Sequence, residues 1–167
     1  MPDFIFDNTV LSNFAAIGRT DLLAGLFKGN AFTTVEVVEE LRRGIDKGYS
    51  SLVSVLAATE NTNGWLQTVV MQSHQESRLR QELDELLHPG ESSCIALAAS
   101  RNMILVTDDL AARKAAARRN VRLTGTVGLL LEMVRSSVLP IAEGNTLLKK
   151  MTDSGYRSPV NRLDELF

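Results

Sequence analysis

The chain of 167 residues contains one cysteine, Cys94, so an internal disulfide is excluded and a reducing compartment is the natural fit. Its two histidines, His74 and His88, have no metal-ligand spacing with each other or with Cys94, which argues against a zinc site. Aromatic residues make up only 5%, so base-specific reading of a nucleic acid by stacking is not supported. No apolar run approaches the roughly 20 residues that a membrane helix needs. The opening residues, MPDFIFDN, lack a basic stretch followed by an apolar one, so no secretory signal is expected and the location is read as cytoplasmic. The formal net charge of −2 excludes a globally basic polyanion binder but leaves room for a local basic patch. What is present, 44% hydrophobic and 23% charged residues without repeats, is the make-up of an ordinary globular domain with a proper core.

Phe4-Ile5-Phe6 is a short apolar run stopped by Asp7-Asn8, the pattern of a buried strand with a carboxylate at its end. A helix is expected from about Thr9, with Leu11, Phe14 and Ala15 on one face, and another over 21–27. A strand over 31–33 leads into VEVVEELRRGIDKG, a helix that Thr33 or Thr34 caps, with a glutamate placed for a capping box. Residues 50–60 read as helix and 65–71 as strand. SHQESRLRQELDELL is amphipathic, with Leu79, Leu83, Leu86 and Leu87 inward. After the break at His88-Pro89-Gly90 come a helix from about Glu91, a strand over 103–107 and a helix over 109–120. A short strand over 121–123, a helix over 125–135 and terminal helices over 140–151 and 158–167 complete the chain.

Short apolar strands alternating with helices predict an α/β fold with a mostly parallel β-sheet flanked by helices. One domain over 1–167 is expected, with 140–167 as a C-terminal helical extension. In such sheets ligands bind beyond the carboxyl ends of the strands, which places Asp7, Asp108 and Asp109 at the functional edge.

Each carboxylate also has a structural reading. Asp7 can cap a helix, Glu91 stands at a helix start where negative charge is favoured, and either Asp108 or Asp109 can cap LAARKAAARR. At about 100° per residue, Val35, Val37, Val38, Leu41 and Ile45 form one apolar arc. Glu36 then points away into solvent, while Glu39 and Glu40 flank the arc on opposite sides. Acids from four separated elements, with no histidine, lysine or arginine in the same short stretches before the 113–119 run, would repel one another unless a hard divalent cation joined them. Such a cation polarises a phosphoryl oxygen and activates water.

FDNTVLSNFA at 6–15, TTVEVVEEL at 33–41, GESSCIALA at 90–98 and LVTDDLAARKAA at 105–116 together resemble the PIN-domain pattern, in order and over essentially the whole chain. The tail, VRLTGTVGLLLEM and then LLKKMTDSGYRSPVNRLDELF, resembles a bacterial and archaeal subfamily related to VapC toxins. The resemblance implies a PIN-like three-layer sandwich, an acidic pocket for Mg²⁺ or Mn²⁺, and cleavage of single-stranded RNA by metal-activated water. It carries catalytic and metal-binding roles to Asp7, Glu40, Glu91 and Asp109, with Asp108 a close second to Asp109 and Glu39 adjacent to Glu40. Thr9 and Thr107 match the hydroxyl residues of the pocket. An antitoxin partner and a homodimer are further expectations from resemblance alone.

Arg113, Lys114 and Arg118 follow the proposed site closely and read either as phosphate-holding groups or as a solvated helix face. The rival to a ribonuclease is the same fold acting as an RNA- or protein-binding module with weak or no catalysis. A receiver-like signalling domain ranks lower, because the aspartate pair comes late and no lysine follows the last strand. Gly125-Thr126-Val127-Gly128 lacks the ending of a phosphate loop and reads as a helix-start turn.

Overall fold

Phe4–Phe6 form β1, the central strand of a five-stranded parallel sheet. The computed structural model describes residues 2–60 and 64–167. The other strands are β2 (Ala31–Thr34), β3 (Leu66–Val69), β4 (Ile104–Val106) and β5 (Leu123–Thr124), in the order β3-β2-β1-β4-β5. Registers pair Phe4 with both Ala31 and Ile104, so β1 is covered on both edges. Ile5, Phe6, Leu105 and Val106 are essentially inaccessible, as expected for strands that helices cover on both faces.

The chain builds outward from β1 to β3 and then returns across β1 to β4. The order therefore reverses between β1 and β4, and the crevice beyond their carboxyl ends is where such sheets bind ligands. Asp7 ends β1 and Thr107 follows β4, so these two residues meet at the reversal.

The helices are α1 (Asn8–Ala16), α2 (Thr20–Leu26), α3 (Val35–Asp46), α4 (Val53–Glu60) and α5 (His74–Asp84). They continue with α6 (Pro89–Arg101), α7 (Leu110–Arg118), α8 (Thr126–Arg135) and α9 (Ile141–Asp153). Helix α6 crosses β1, β2 and β4, and its residues Ser92–Ala98 are all buried. It begins at Pro89, two residues before the expected start, because proline at the first helical position has no N–H to satisfy. Helix α7 stops at Arg118 and the chain leaves it through Asn120 at φ 56°, a left-handed exit that asparagine tolerates.

Four expectations are corrected. Leu86 is 76% exposed, because α5 ends at Asp84 and the helical phase that would carry Leu86 inward is lost; Leu83 and Leu87 are buried. Glu36 is half-buried rather than free in solvent and forms no capping box: its carboxylate accepts from Arg80 on α5 at 2.7 Å, while Thr34 caps α3 through the Val37 N–H. The last strand is Leu123–Thr124, set by pairing with Leu105 and Val106, rather than 121–123. Residues 158–167 form no α-helix but only a 3₁₀ turn at Leu163–Leu166. Pro159 disfavours helix in the residue before it, and Asn145 of α9 takes the Leu163 N–H at 2.7 Å instead. Leu163 is thereby buried, and the tail packs on α8 and α9.

Candidate metal and nuclease site

Asp7 is the best-enclosed acid, only 2% exposed. As the N-cap of α1 its Oδ1 accepts from the Thr9 backbone N–H at 2.9 Å and from the Thr9 hydroxyl at 2.6 Å. Its Oδ2 accepts from the Thr107 hydroxyl. The Thr9 hydroxyl oxygen also receives the Asp108 N–H at 2.8 Å, so the ends of β1 and β4 are laced together through Asp7, Thr9 and Thr107. These hydrogen bonds favour the ionised carboxylate, but burial wins, and Asp7 is pushed up to about 7.

Three more carboxylates stand on neighbouring elements, and of these Glu91 acts on Asp7 through its charge. Glu40, on the same face of α3 as Val37 and Leu41, accepts the Gly90 N–H at 3.0 Å, while Glu39 is exposed. Glu91 is half-buried and accepts the His88 N–H at 3.2 Å, so its capping role is present. Burial and then the charges of Asp109 and Glu40 raise its pKa. Asp109 caps α7 through the Ala112 N–H at 2.8 Å, and its own N–H donates to the Thr107 hydroxyl at 3.1 Å. Glu91 and Asp109 open onto one shallow groove with His88 and Leu87.

The adjacent Asp108 engages a different set. Its Oδ2 accepts from Asn13 Nδ2 at 2.9 Å and from the Thr126 hydroxyl at 2.5 Å, and its Oδ1 accepts the Thr126 N–H at 2.9 Å. Asp108 therefore fastens the start of α8 to α1. The half-buried phenol of Tyr156 lies against it, its pKa raised by burial and by the Asp108 charge. The sequence offered no sign of Asn13 and Thr126 as the partners that separate the two aspartates.

The basic residues downstream divide as well. The Arg113 guanidinium donates to the Thr107 carbonyl at 2.9 Å, while Lys114 and Arg118 are exposed on α7. A signal that the sequence reading passed over lies on α3. Glu40, Arg43 and Lys47 are spaced by three and four residues, which puts them on one side of the helix.

The donor set is all oxygen and suits a hard cation in type. Among the described residues none of Asp7, Glu40, Glu91 and Asp109 forms an ion pair with lysine or arginine. Burial is the main cause that raises both Asp7, to about 7, and Glu91, with the charges of neighbouring acids adding to it. Among the described residues, however, no three carboxylates, histidines or cysteines lie close enough to form a ligand set. The acids share an electrostatic neighbourhood rather than a closed coordination sphere.

Compared with known families, residues 3–167 match DUF3368, described as a PIN domain. The chain belongs to the PIN-domain family. No curated protein matches it. Among solved structures, a chain from the crystal structure of VapBC2 from Rickettsia felis bound to a DNA fragment from their promoter aligns at 18% identity, with a TM-score of 0.48. That alignment covers 73% of this chain and 98% of the other chain. No helix among the described residues is long and apolar enough to cross a membrane.

Proposed function

We propose that this PIN domain is a metal-dependent endoribonuclease acting on single-stranded RNA, with Asp7, Glu40, Glu91 and Asp109 as the acids that hold Mg²⁺ or Mn²⁺. The observation that carries the reading is Asp7: buried at the sheet's reversal point, raised to about 7, and with no cationic partner among the described residues. A divalent cation supplies Lewis acidity at a phosphoryl oxygen and acidifies water. The protein's own part is positional. Thr9 and Thr107 fix both oxygens of Asp7, the Gly90 amide holds Glu40, and the α7 cap holds Asp109. Asp108 is the lesser candidate ligand, because three donors already occupy it. Lys114 and Arg118, exposed on α7, are available to phosphates, and Arg113 steadies the end of β4 beside them. A cytoplasmic location, an antitoxin partner and a homodimer belong to the same proposal through family membership.

A second reading, a binding module with weak or no catalysis, is favoured by one observation: the described acids do not form a closed ligand set. Incubating a mixed single-stranded RNA pool with Mg²⁺, Mn²⁺ or EDTA separates the two. Metal-dependent cleavage that Asp7→Asn abolishes while remaining folded supports the nuclease; intact RNA with either metal supports the binding module.

A further inference from the structure

Glu40, whose Oε1 takes the Gly90 N–H, also lines a groove of about 590 Å³. The groove runs along α3 past Arg43 and Lys47 to Tyr49, and Asn8, Ser154 and Tyr156 close its far wall. Among the described residues Arg43 and Lys47 make no ion pair, and both are exposed along this groove. Tyr49 is 65% exposed, a large aromatic ring in solvent beside two unpaired cations. Gly155, at φ 113°, turns the chain so that Tyr156 faces the groove.

We propose that this groove binds the single-stranded RNA that enters the acidic pocket, with Arg43 and Lys47 on its phosphates and Tyr49 stacked on an unpaired base. The assignment rests on the nuclease reading, because Glu40 is shared by the groove and the acid set. Two free cations call for a polyanion. An exposed aromatic ring next to them calls for bases that are not already stacked in a duplex, which selects a single strand. The sparse aromatic content of the chain makes that position the more telling.

Binding measured in EDTA tests the groove apart from hydrolysis, by fluorescence anisotropy of a labelled RNA of about 12 nucleotides. Arg43→Ala combined with Lys47→Ala weakens binding about tenfold or more and flattens the salt dependence by about 1.4 in log-log slope, at about 0.7 for each single-strand phosphate that the protein no longer neutralises. Tyr49→Ala weakens it about fivefold or more, and Tyr49→Phe restores it, because the ring and not the hydroxyl stacks. Lys28→Ala, removing a charge from the opposite end of the strands, has little effect. Wild-type affinity in the folded groove variants overturns the proposal. So does a loss confined to Lys114→Ala with Arg118→Ala, or no RNA binding by the wild type at tens of micromolar. A polyglutamate peptide that binds as tightly as RNA reassigns the groove to a protein partner. RNA held as described but never cut with Mg²⁺ or Mn²⁺ keeps the groove and removes the hydrolytic reading. RNA cut and bound normally by the groove variants does the reverse.

Discussion

The Gly90 amide donates to Glu40 Oε1 at 3.0 Å, and a Cβ built on Gly90 would come within 2.5 Å of that same oxygen. Glycine at this point of α6 is thus a matter of approach rather than backbone conformation. Its missing side chain is the space that the Glu40 carboxylate fills.

Gly90→Ala accordingly displaces the end of a flexible side chain and no backbone. The expected result is a folded protein whose melting temperature is little changed, because alanine suits a helix. Metal-dependent RNA cleavage falls about tenfold or more, since a misplacement of about 1 Å in a positioned group is costly. Measuring both on one preparation decides it; a drop in melting temperature that matches the loss of activity would show a folding effect instead.

The two aspartates of LVTDD separate by what they hold. Asp108→Ala strands Asn13 and the Thr126 N–H at the start of α8, and should cost about 1–3 kcal/mol of stability. Asp109→Asn keeps a side chain that caps helices equally well, so stability changes little while the negative charge beside Glu91 is lost. Denaturant unfolding should rank Asp108→Ala as the damaging change, and Mn²⁺-dependent cleavage should rank Asp109→Asn. The opposite ranking would exchange their roles.

Burial raises Asp7 to about 7 in the metal-free protein, well above an ordinary aspartate. Between about pH 4 and 7 the unfolded chain releases a proton that the folded one keeps, so stability falls across that window as pH rises. Asp7→Asn lacks this loss and should melt higher than wild type at pH 8 in EDTA, with the gap closing toward pH 4. About 1 kcal/mol would read as about 2–4 °C for a chain of this size. Adding Mn²⁺ should raise the melting temperature of the wild type and not of Asp7→Asn. An equal rise in both would remove Asp7 from the metal site.

Much of this was legible in the residues. Strand β1 and the acid at its end follow from three apolar residues and a stop, and the parallel sheet from strands alternating with helices. What escaped was tertiary. Helical periodicity sent Glu36 into solvent because it says nothing of Arg80, 44 residues away, which captures it. The different partners of Asp108 and Asp109 were equally hidden, because Asn13 and Thr126 reach Asp108 from α1 and from the start of α8. Leu86 was placed inward by a period that ended two residues earlier. The spacing of Glu40, Arg43 and Lys47 along α3, by contrast, is visible in the sequence itself.

Away from the site, Glu76 and Arg101 pin α5 to α6. Glu76 is 5% exposed; its Oε1 accepts from Arg101 Nε at 2.8 Å and its Oε2 from the Gln72 N–H at 2.7 Å. The Arg101 hydrogen bond holds this carboxyl below the usual glutamate value despite burial. A lowered folded pKa means that the pair's stabilisation is complete above the ordinary glutamate value of 4.5 and is lost as pH falls through the folded value beneath it. Glu76→Gln should therefore cost about 1–3 kcal/mol at pH 7, the range for a charged hydrogen bond left unmade. That deficit should persist to about pH 5 and shrink as the wild type is titrated toward pH 3. Urea unfolding of both proteins along this series checks it; a deficit independent of pH would mean that packing, not the ion pair, is what Glu76 contributes.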